Sequence, residues 1–241
     1  MRWGILSDIH ANYEALEAVL AALAKKRIDR YLCLGDIVGY GADPGECIAQ
    51  IQELNPVTIA GNHDWASIDL FDLSYFNATA KKALLWTRQN LTYEGKEFLK
   101  GLELVYEEDD LTLVHGSLFY PEEFKYILDI SSAAKTFQLL RTRLCFIGHS
   151  HSPLAFIKES ENYRVSFQTK LEIRPSQSYI VNAGSVGQPR DGNPQAAYVV
   201  YDSESRQLQI KRVSYDVGRA QDKIIKAGLP RSLAERLTIG R

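Results

Sequence analysis

Five short apolar runs in the first 151 residues each end in a side chain able to hold a metal ion. Residues 2–6 lead into Ser7-Asp8-Ile9-His10, residues 31–34 into Gly35-Asp36, and residues 57–60 into Gly61-Asn62-His63-Asp64. Residues 111–114 lead into His115-Gly116, and residues 144–147 into Gly148-His149-Ser150-His151. Helical patterns lie between most of these runs, which predicts β-α units and an α/β fold. In open α/β sheets, ligands collect beyond the carboxyl ends of the strands. Segments far apart in sequence can therefore converge on one spot. The chain has five histidines, and all of them (His10, His63, His115, His149 and His151) fall at these strand ends. Asp-x-His or His-x-His alone is more readily explained by packing or chance. The joint pattern is not, because histidines placed for packing would also appear in the helices and the C-terminal third.

Asn12 is placed to cap a helix carrying Leu16, Val19, Leu20 and Leu23 at helical spacing. Asp43-Pro44 reads as an N-cap with proline at the first helical position, opening a helix to about residue 54. Residues 65–110 break the rhythm and predict a small helical insertion, with helices over 77–90 and 93–101. A further helix is expected over 131–140. After His151, strand patterns at 154–158, 163–168, 179–181, 197–201 and 207–213 follow one another without long helices. They predict a second, largely antiparallel sheet. Helical patterns at 221–227 and 232–237 make a tail from about residue 217 to 241. The expectation is one domain over residues 1–241.

With 241 residues, 45% of them hydrophobic, the chain can bury a sizeable core. A net charge of −2 and a pI near 6.2 give no basic footprint, so no stable nucleic-acid complex is expected. No apolar run is long enough to span a bilayer, and the first one is too short for an export signal. The expected location is therefore cytoplasmic. Cys33, Cys47 and Cys145 are odd in number and form no C-x-x-C pair, so they read as buried reduced thiols.

Mixed carboxylate, imidazole and amide donors suit manganese, iron or zinc better than soft thiolate sites or all-oxygen magnesium and calcium sites. Two ions about 3.5–4 Å apart can share a bridging carboxylate and hydroxide, and such a pair makes a nucleophile from water at neutral pH. The set Asp8-x-His10, Gly35-Asp36, Gly61-Asn62-His63-Asp64, His115 and Gly148-His149-x-His151 resembles the calcineurin-like metallophosphoesterase family in order and spacing. The segment Asn182-Ala183-Gly184-Ser185-Val186-Gly187 resembles the compact bacterial and archaeal branch that includes YfcE-type phosphodiesterases. The resemblance implies a four-layer α-β-β-α sandwich of two mostly mixed sheets. It implies two divalent ions, manganese favoured, with iron, zinc, cobalt and nickel compatible. Asp8, His10, Asp36 and His151 would hold the first ion; Asp36, Asn62, His115 and His149 would hold the second, with Asp36 bridging. His63 would face the substrate phosphate as a catalytic residue, and Asp64 would orient the His63 ring.

Protein Ser/Thr phosphatases of this superfamily carry an arginine in a Gly-Asp-x-x-Asp-Arg-Gly motif, and here Tyr40 stands in its place. A dianionic monoester gains most from such a clamp. Its absence favours a phosphodiesterase acting on small nucleotide-like esters, with a phosphomonoesterase, a protein phosphatase or a dinucleoside polyphosphate hydrolase as alternatives. A non-catalytic scaffold of the same fold, like the retromer subunit, is the alternative of another class. Arg190 could replace the missing clamp, or simply pair with Asp191 in a surface turn. Phe119, Tyr120, Phe124 and Tyr126 follow His115 and could overhang the site to stack on a base, or merely pack. Leu229, Leu233 and Leu237 in the tail could pack on their own domain or build a homo-oligomer.

Overall fold

The computed structural model describes residues 1–241. Its strands are β1 (Arg2–Leu6), β2 (Arg30–Cys33), β3 (Val57–Thr58), β4 (Val105–Glu108), β5 (Leu111–Val114) and β6 (Leu144–Ile147). The later strands are β7 (Leu154–Glu159), β8 (Asn162–Ser166), β9 (Lys170–Glu172), β10 (Ser178–Asn182), β11 (Ala196–Asp202) and β12 (Gln207–Val213). The helices are α1 (Tyr13–Ala24), α2 (Pro44–Leu54), α3 (Asn62–Ala66), α4 (Ala78–Asn90), α5 (Tyr93–Lys100), α6 (Ile130–Leu139), α7 (Val217–Lys226) and α8 (Arg231–Ile239).

Two six-stranded mixed sheets form, in the orders β3-β2-β1-β11-β12-β9 and β4-β5-β6-β10-β7-β8. Side-chain alternation along each strand explains how they stack. Ile5 and Leu32 face the gap between the sheets with Phe146, Tyr179 and Val199. Their neighbours Leu6 and Cys33 face outward onto Leu16, Val19, Ile48 and Ile51 of α1 and α2. In the second sheet, Cys145, Ile147 and Ile180 face outward onto Ala133 and Phe137 of α6. Both faces of both sheets are thus covered, which is why the strands read as continuous apolar runs rather than alternating ones. The result is the four-layer α-β-β-α sandwich.

The C-terminal strands do not make a sheet of their own, contrary to the expectation from sequence. β11, β12 and β9 extend the first sheet, and β10, β7 and β8 extend the second. Strand pattern announces strands but not partners, because pairing is decided by long-range packing. The short edge segments β4 and β9 went unseen for a related reason. Their Glu107, Glu108, Lys170 and Glu172 are the charges that keep sheet edges from pairing further. Asp43 begins α2 without accepting a capping bond; its carboxylate takes Lys223 of α7 at 2.8 Å instead. The tail packs on its own chain, where Leu229, Leu233 and Leu237 join Tyr40, Ala80 and Ala83.

Parallel pairing sets the direction that matters. β1, β2 and β3 run parallel in one sheet and β5, β6 and β10 in the other. Leu6 lies opposite Cys33, and Ile147 opposite Asn182. The carboxyl ends of these strands therefore open at a common edge of the sandwich. Asn12 ties that edge together: its Oδ1 accepts from the Ala15 amide and caps α1, while its Nδ2 donates to the Gly187 carbonyl at 2.8 Å. Phe146 is among the largest fully buried side chains between the sheets. Phe146→Ala is expected to lower the unfolding free energy by about 3–5 kcal/mol, read as a shifted urea midpoint at unchanged slope.

Candidate metal centre

The loops beyond these strand ends are stitched to one another by backbone hydrogen bonds. Asp8 donates to the Gly35 carbonyl at 3.0 Å and His10 to the Asp36 carbonyl at 2.9 Å. Gly187 donates to the Asp8 carbonyl at 2.9 Å, and Gly148 to the His115 carbonyl at 2.9 Å. Side chains then cross between the sheets. The Asp8 carboxylate accepts from the His149 amide, and His115 Nδ1 donates to the Leu34 carbonyl at 2.6 Å. Asp8, His10, Asp36, His149 and His151 all adopt positive φ, between 51° and 67°. Such a run of left-handed non-glycine residues is the mark of a backbone held in place by its surroundings for the sake of where the side chains point. Gly148 has to be a glycine here, since a Cβ would collide with Ser7 Oγ and Asp8 Oδ2.

Every residue singled out from the sequence is buried at this edge: Asp8, His10, Asp36, Asn62, His63, Asp64, His115, His149 and His151. Donor atoms of Asp8, His10, Asp36 and His151 lie within 4.8 Å of one another, and so do those of Asp36, His115 and His149. Asp36 belongs to both groups. The hydrogen bonds of the rings fix their tautomers. His10 Nδ1 faces the Val38 carbonyl at 3.2 Å and His151 Nδ1 the Gln188 carbonyl at 2.6 Å, so the ring protons sit there. Their Nε2 atoms then present lone pairs to each other at 3.0 Å, and His151 Nε2 also faces Asp8 Oδ1 at 3.0 Å. Asp36 Oδ2 and Asn62 Oδ1 are buried without a hydrogen-bond partner, and His115 Nε2 faces Asp36 Oδ2 at 3.3 Å. Converging unpaired lone pairs repel and are costly when buried. A cation among them removes both penalties, so the donor set fits divalent metal ions.

Burial by itself would raise the two carboxyls and discharge the rings. The imidazoles of His151 and His115 instead hold Asp8 far below the usual carboxylate range, and those of His115 and His63 do the same for Asp36. Burial lowers His10, His149 and His151. Burial also pushes His63 down to about 4, against the pull of Asp36. For His115 burial is outweighed by the Asp36 carboxylate, which raises it to about 9.

Asp64 does not orient His63. Its carboxylate is turned away from the ring and accepts four backbone N–H bonds, from Asp36 (2.7 Å), Ile37 (2.8 Å), Val38 (3.2 Å) and Gly61 (3.0 Å). His63 Nδ1 is buried without a partner, and the ring lies against Tyr40, Phe76 and His10. The sequence pattern shows that Asp64 follows His63, but α3 begins at Asn62 and sends consecutive side chains in different directions.

A cavity of about 450 Å³ opens onto Asn62, His63 and His149. Arg190 lines it and donates to Tyr40 Oη at 3.2 Å; Asp191 pairs with Arg212 rather than with Arg190. The loop after His115 divides. Tyr126 stacks on the His149 ring at 3.8 Å and Phe124 packs into the wall, while Phe119 and Tyr120 lie outside the lining, against Lys125. Sequence reasoning missed the rest of the aromatic lining, Phe71, Tyr75 and Phe76, with Phe71 against Phe124 and Tyr75 77% exposed. Three aromatics within six residues, Phe71 to Phe76, shortly after His63 were the available signal. It also missed Arg236 of α8, for which the sequence carried no signal.

Residues 1–206 match the family model for the calcineurin-like phosphoesterase superfamily domain. The chain is 38% identical over 246 residues to protein MJ0912 of Methanocaldococcus jannaschii, covering 98% of this chain and 97% of that one. It superposes on the crystal structure of a metallophosphoesterase from Sphaerobacter thermophilus with a TM-score of 0.88 and 38% identity, covering 100% of this chain and 99% of that one. Protein PH1004 of Pyrococcus horikoshii OT3, at 22% identity and a TM-score of 0.82 over 100% of this chain and 98% of that one, has the same fold.

Asp64→Ala would strand four buried N–H donors, each costing about 1–3 kcal/mol. It is expected to lower stability by about 3 kcal/mol or more in urea unfolding, and to reduce the bound metal found by elemental analysis after loading.

Proposed function

This chain belongs to the calcineurin-like phosphoesterase superfamily, and on that premise we propose that it is a dinuclear phosphodiesterase of small, nucleotide-like phosphate esters, folded as one domain over residues 1–241. Asp8, His10, Asp36 and His151 hold one ion; Asp36, Asn62, His115 and His149 hold the other, with Asp36 shared. The observation that carries this reading is the convergence of buried donor atoms, with His10 Nε2 and His151 Nε2 facing each other and Asp36 Oδ2 and Asn62 Oδ1 left without hydrogen-bond partners. The mixed donors make manganese our favoured ion. Such ions supply Lewis acidity, making water nucleophilic at neutral pH and offsetting charge on the phosphoryl oxygens.

The protein's own groups position the ester. His63 lines the cavity beside Asn62, with its Nδ1 turned toward Gly39. We assign it to stabilising or protonating the leaving oxygen. Arg190 takes the part of the arginine that Tyr40 replaces. It is held by Tyr40 itself, whose ring lies 5.6 Å from the guanidinium. A single clamp suits the monoanionic phosphate of a diester better than the dianion of a monoester. Phe71 and Tyr75, stacked at 5.1 Å on the cavity wall, offer a sequence-tolerant face for a nucleobase. No helix is long and apolar enough to cross a membrane.

Stripping the protein of metal is expected to abolish hydrolysis of bis-p-nitrophenyl phosphate, and added Mn²⁺ to restore it. Protein that binds Mn²⁺ yet never turns this ester over would contradict the diesterase assignment. His63→Ala should slow an alkyl-leaving-group diester by about 10²-fold or more, while the p-nitrophenyl ester, whose leaving group needs no proton, is slowed far less. Equal losses on both esters would show that His63 does not serve the leaving oxygen.

A further inference from the structure

Beside the proposed metal centre, two arginines share one neutral partner. Arg190 donates to Gln188 Oε1 at 2.9 Å, and Arg236 donates to the same oxygen at 3.1 Å. Neither guanidinium has a carboxylate within ion-pair distance, although Arg212 close by takes Asp191 and Lys125 on the same cavity takes Glu123 at 2.7 Å. Both are half-buried, and Arg190 Nε is buried with no partner at all. Gln188 is only 2% exposed, so the bridge between the two charges is not a surface accident. Burial, and then the Arg190 charge beside it, push Arg236 below the usual arginine range. Two like charges held against one amide oxygen in partial burial destabilise the free protein unless an anion joins them.

The two arginines are not equivalent in position. Both line the cavity that contains Asn62, His63 and His149. Arg236 also lines an adjoining cavity of about 530 Å³, with Tyr40, Asn77 and Arg241, that contains none of the proposed metal ligands. Arg190 is thus the inner cation and Arg236 the outer one, on a path leading away from the proposed reaction centre. The outer cation comes from α8, at residues 231–239, beyond the stretch 1–206 that matches the superfamily domain. It is anchored there by Leu233 and Leu237 against Tyr40 and Ala80.

We infer that Arg236, joined to Arg190 through Gln188, forms a second anion subsite that binds a non-scissile phosphate. This rests on the phosphoesterase reading above and narrows the substrate to compounds carrying a second phosphate next to the one attacked, of the nucleoside diphosphate or dinucleoside polyphosphate class. Bidentate guanidinium-phosphate pairing supplies the affinity, and the spacing along the cavity supplies the selection against single-phosphate esters.

The test compares binding of adenosine monophosphate with its α,β-methylene diphosphate analogue, which cannot be cleaved at that bridge. Calorimetry is done on the Mn²⁺-loaded full chain. The wild type should bind the diphosphate analogue about tenfold or more tightly than the monophosphate. Arg236→Gln should bring the ratio below about threefold. Gln188→Glu is nearly isosteric and places a carboxylate between the arginines; it should also collapse the ratio while keeping or raising the melting temperature. A wild-type ratio near one, or a tenfold ratio kept by both variants, overturns the inference. Turnover of adenosine diphosphate itself, whose phosphate bridge is cleavable, by the Mn²⁺-loaded wild type separates the two readings. Turnover with a flat binding ratio rejects the subsite alone, and a variant-sensitive ratio without turnover upholds the subsite and rejects the hydrolase.

Discussion

The carboxylate of Asp64 accepts backbone N–H bonds from Asp36, Ile37, Val38 and Gly61, and the arrangement of the centre depends on that one buried acceptor. It pins the loop after β2 to the start of α3. The loop after β2 in turn receives the loop after β1, since Asp8, His10 and Ala11 donate to the carbonyls of Gly35, Asp36 and Ile37. Burial and the nearby Asp36 push Asp64 up to about 7, so the carboxylate is kept in an unfavourable place by the donors it satisfies. The same Asp36 that opposes it offers Oδ1 to the His63 amide at 2.8 Å and leaves Oδ2 free in the cluster. Scaffold and reactive groups are thus one hydrogen-bonded unit.

A second consequence concerns strain. Left-handed backbone at Asp8, His10, Asp36, His149 and His151 is unfavourable for each residue, and the unpaired donor atoms they present are unfavourable again. The large apolar interface between the two sheets, and the helices on their outer faces, offset these local penalties. Local instability at the edge and stability in the middle belong to the same design. Cations brought to the edge turn repelling lone pairs into bonds, so metal binding and the folding of these loops are coupled.

Tyr40 shows how one substitution redirects a site. Where protein phosphatases of the superfamily carry an arginine, this tyrosine serves three neighbours. It lies 4.4 Å from the His63 ring, accepts from Arg190, and forms part of the floor on which α8 rests. The cation on the cavity wall is Arg190, in the loop after β10, and α8 of the tail places Arg236 beside it. The cavity is accordingly lined by loops and the tail, while the candidate metal ligands stand at the strand ends.

Most of the element order, though not the edge strands β4 and β9, and the placing of all five histidines at strand ends were legible in the sequence because they are local. Each strand is a short apolar run, and each run ends in a glycine or small residue beside a donor-type side chain. Pairing of strands was not local. β11 reaches back across more than a hundred residues to join β1, and β10 passes over β7, β8 and β9 to lie beside β6, outcomes set by which faces fit together. The direction of Asp64 away from His63 depends on the exact turn at which α3 begins. The meeting of Arg236 with Arg190 depends on where a C-terminal helix docks. The sequence by itself determined which side chains could ligate a metal and that they stand at strand ends, because residue type and period are written residue by residue. Only the tertiary structure decided which of them face one another, which carboxylate holds backbone rather than ring, and which arginines share a partner. Those are distances of about 3 Å between atoms far apart in the chain, and packing of the whole sandwich sets them.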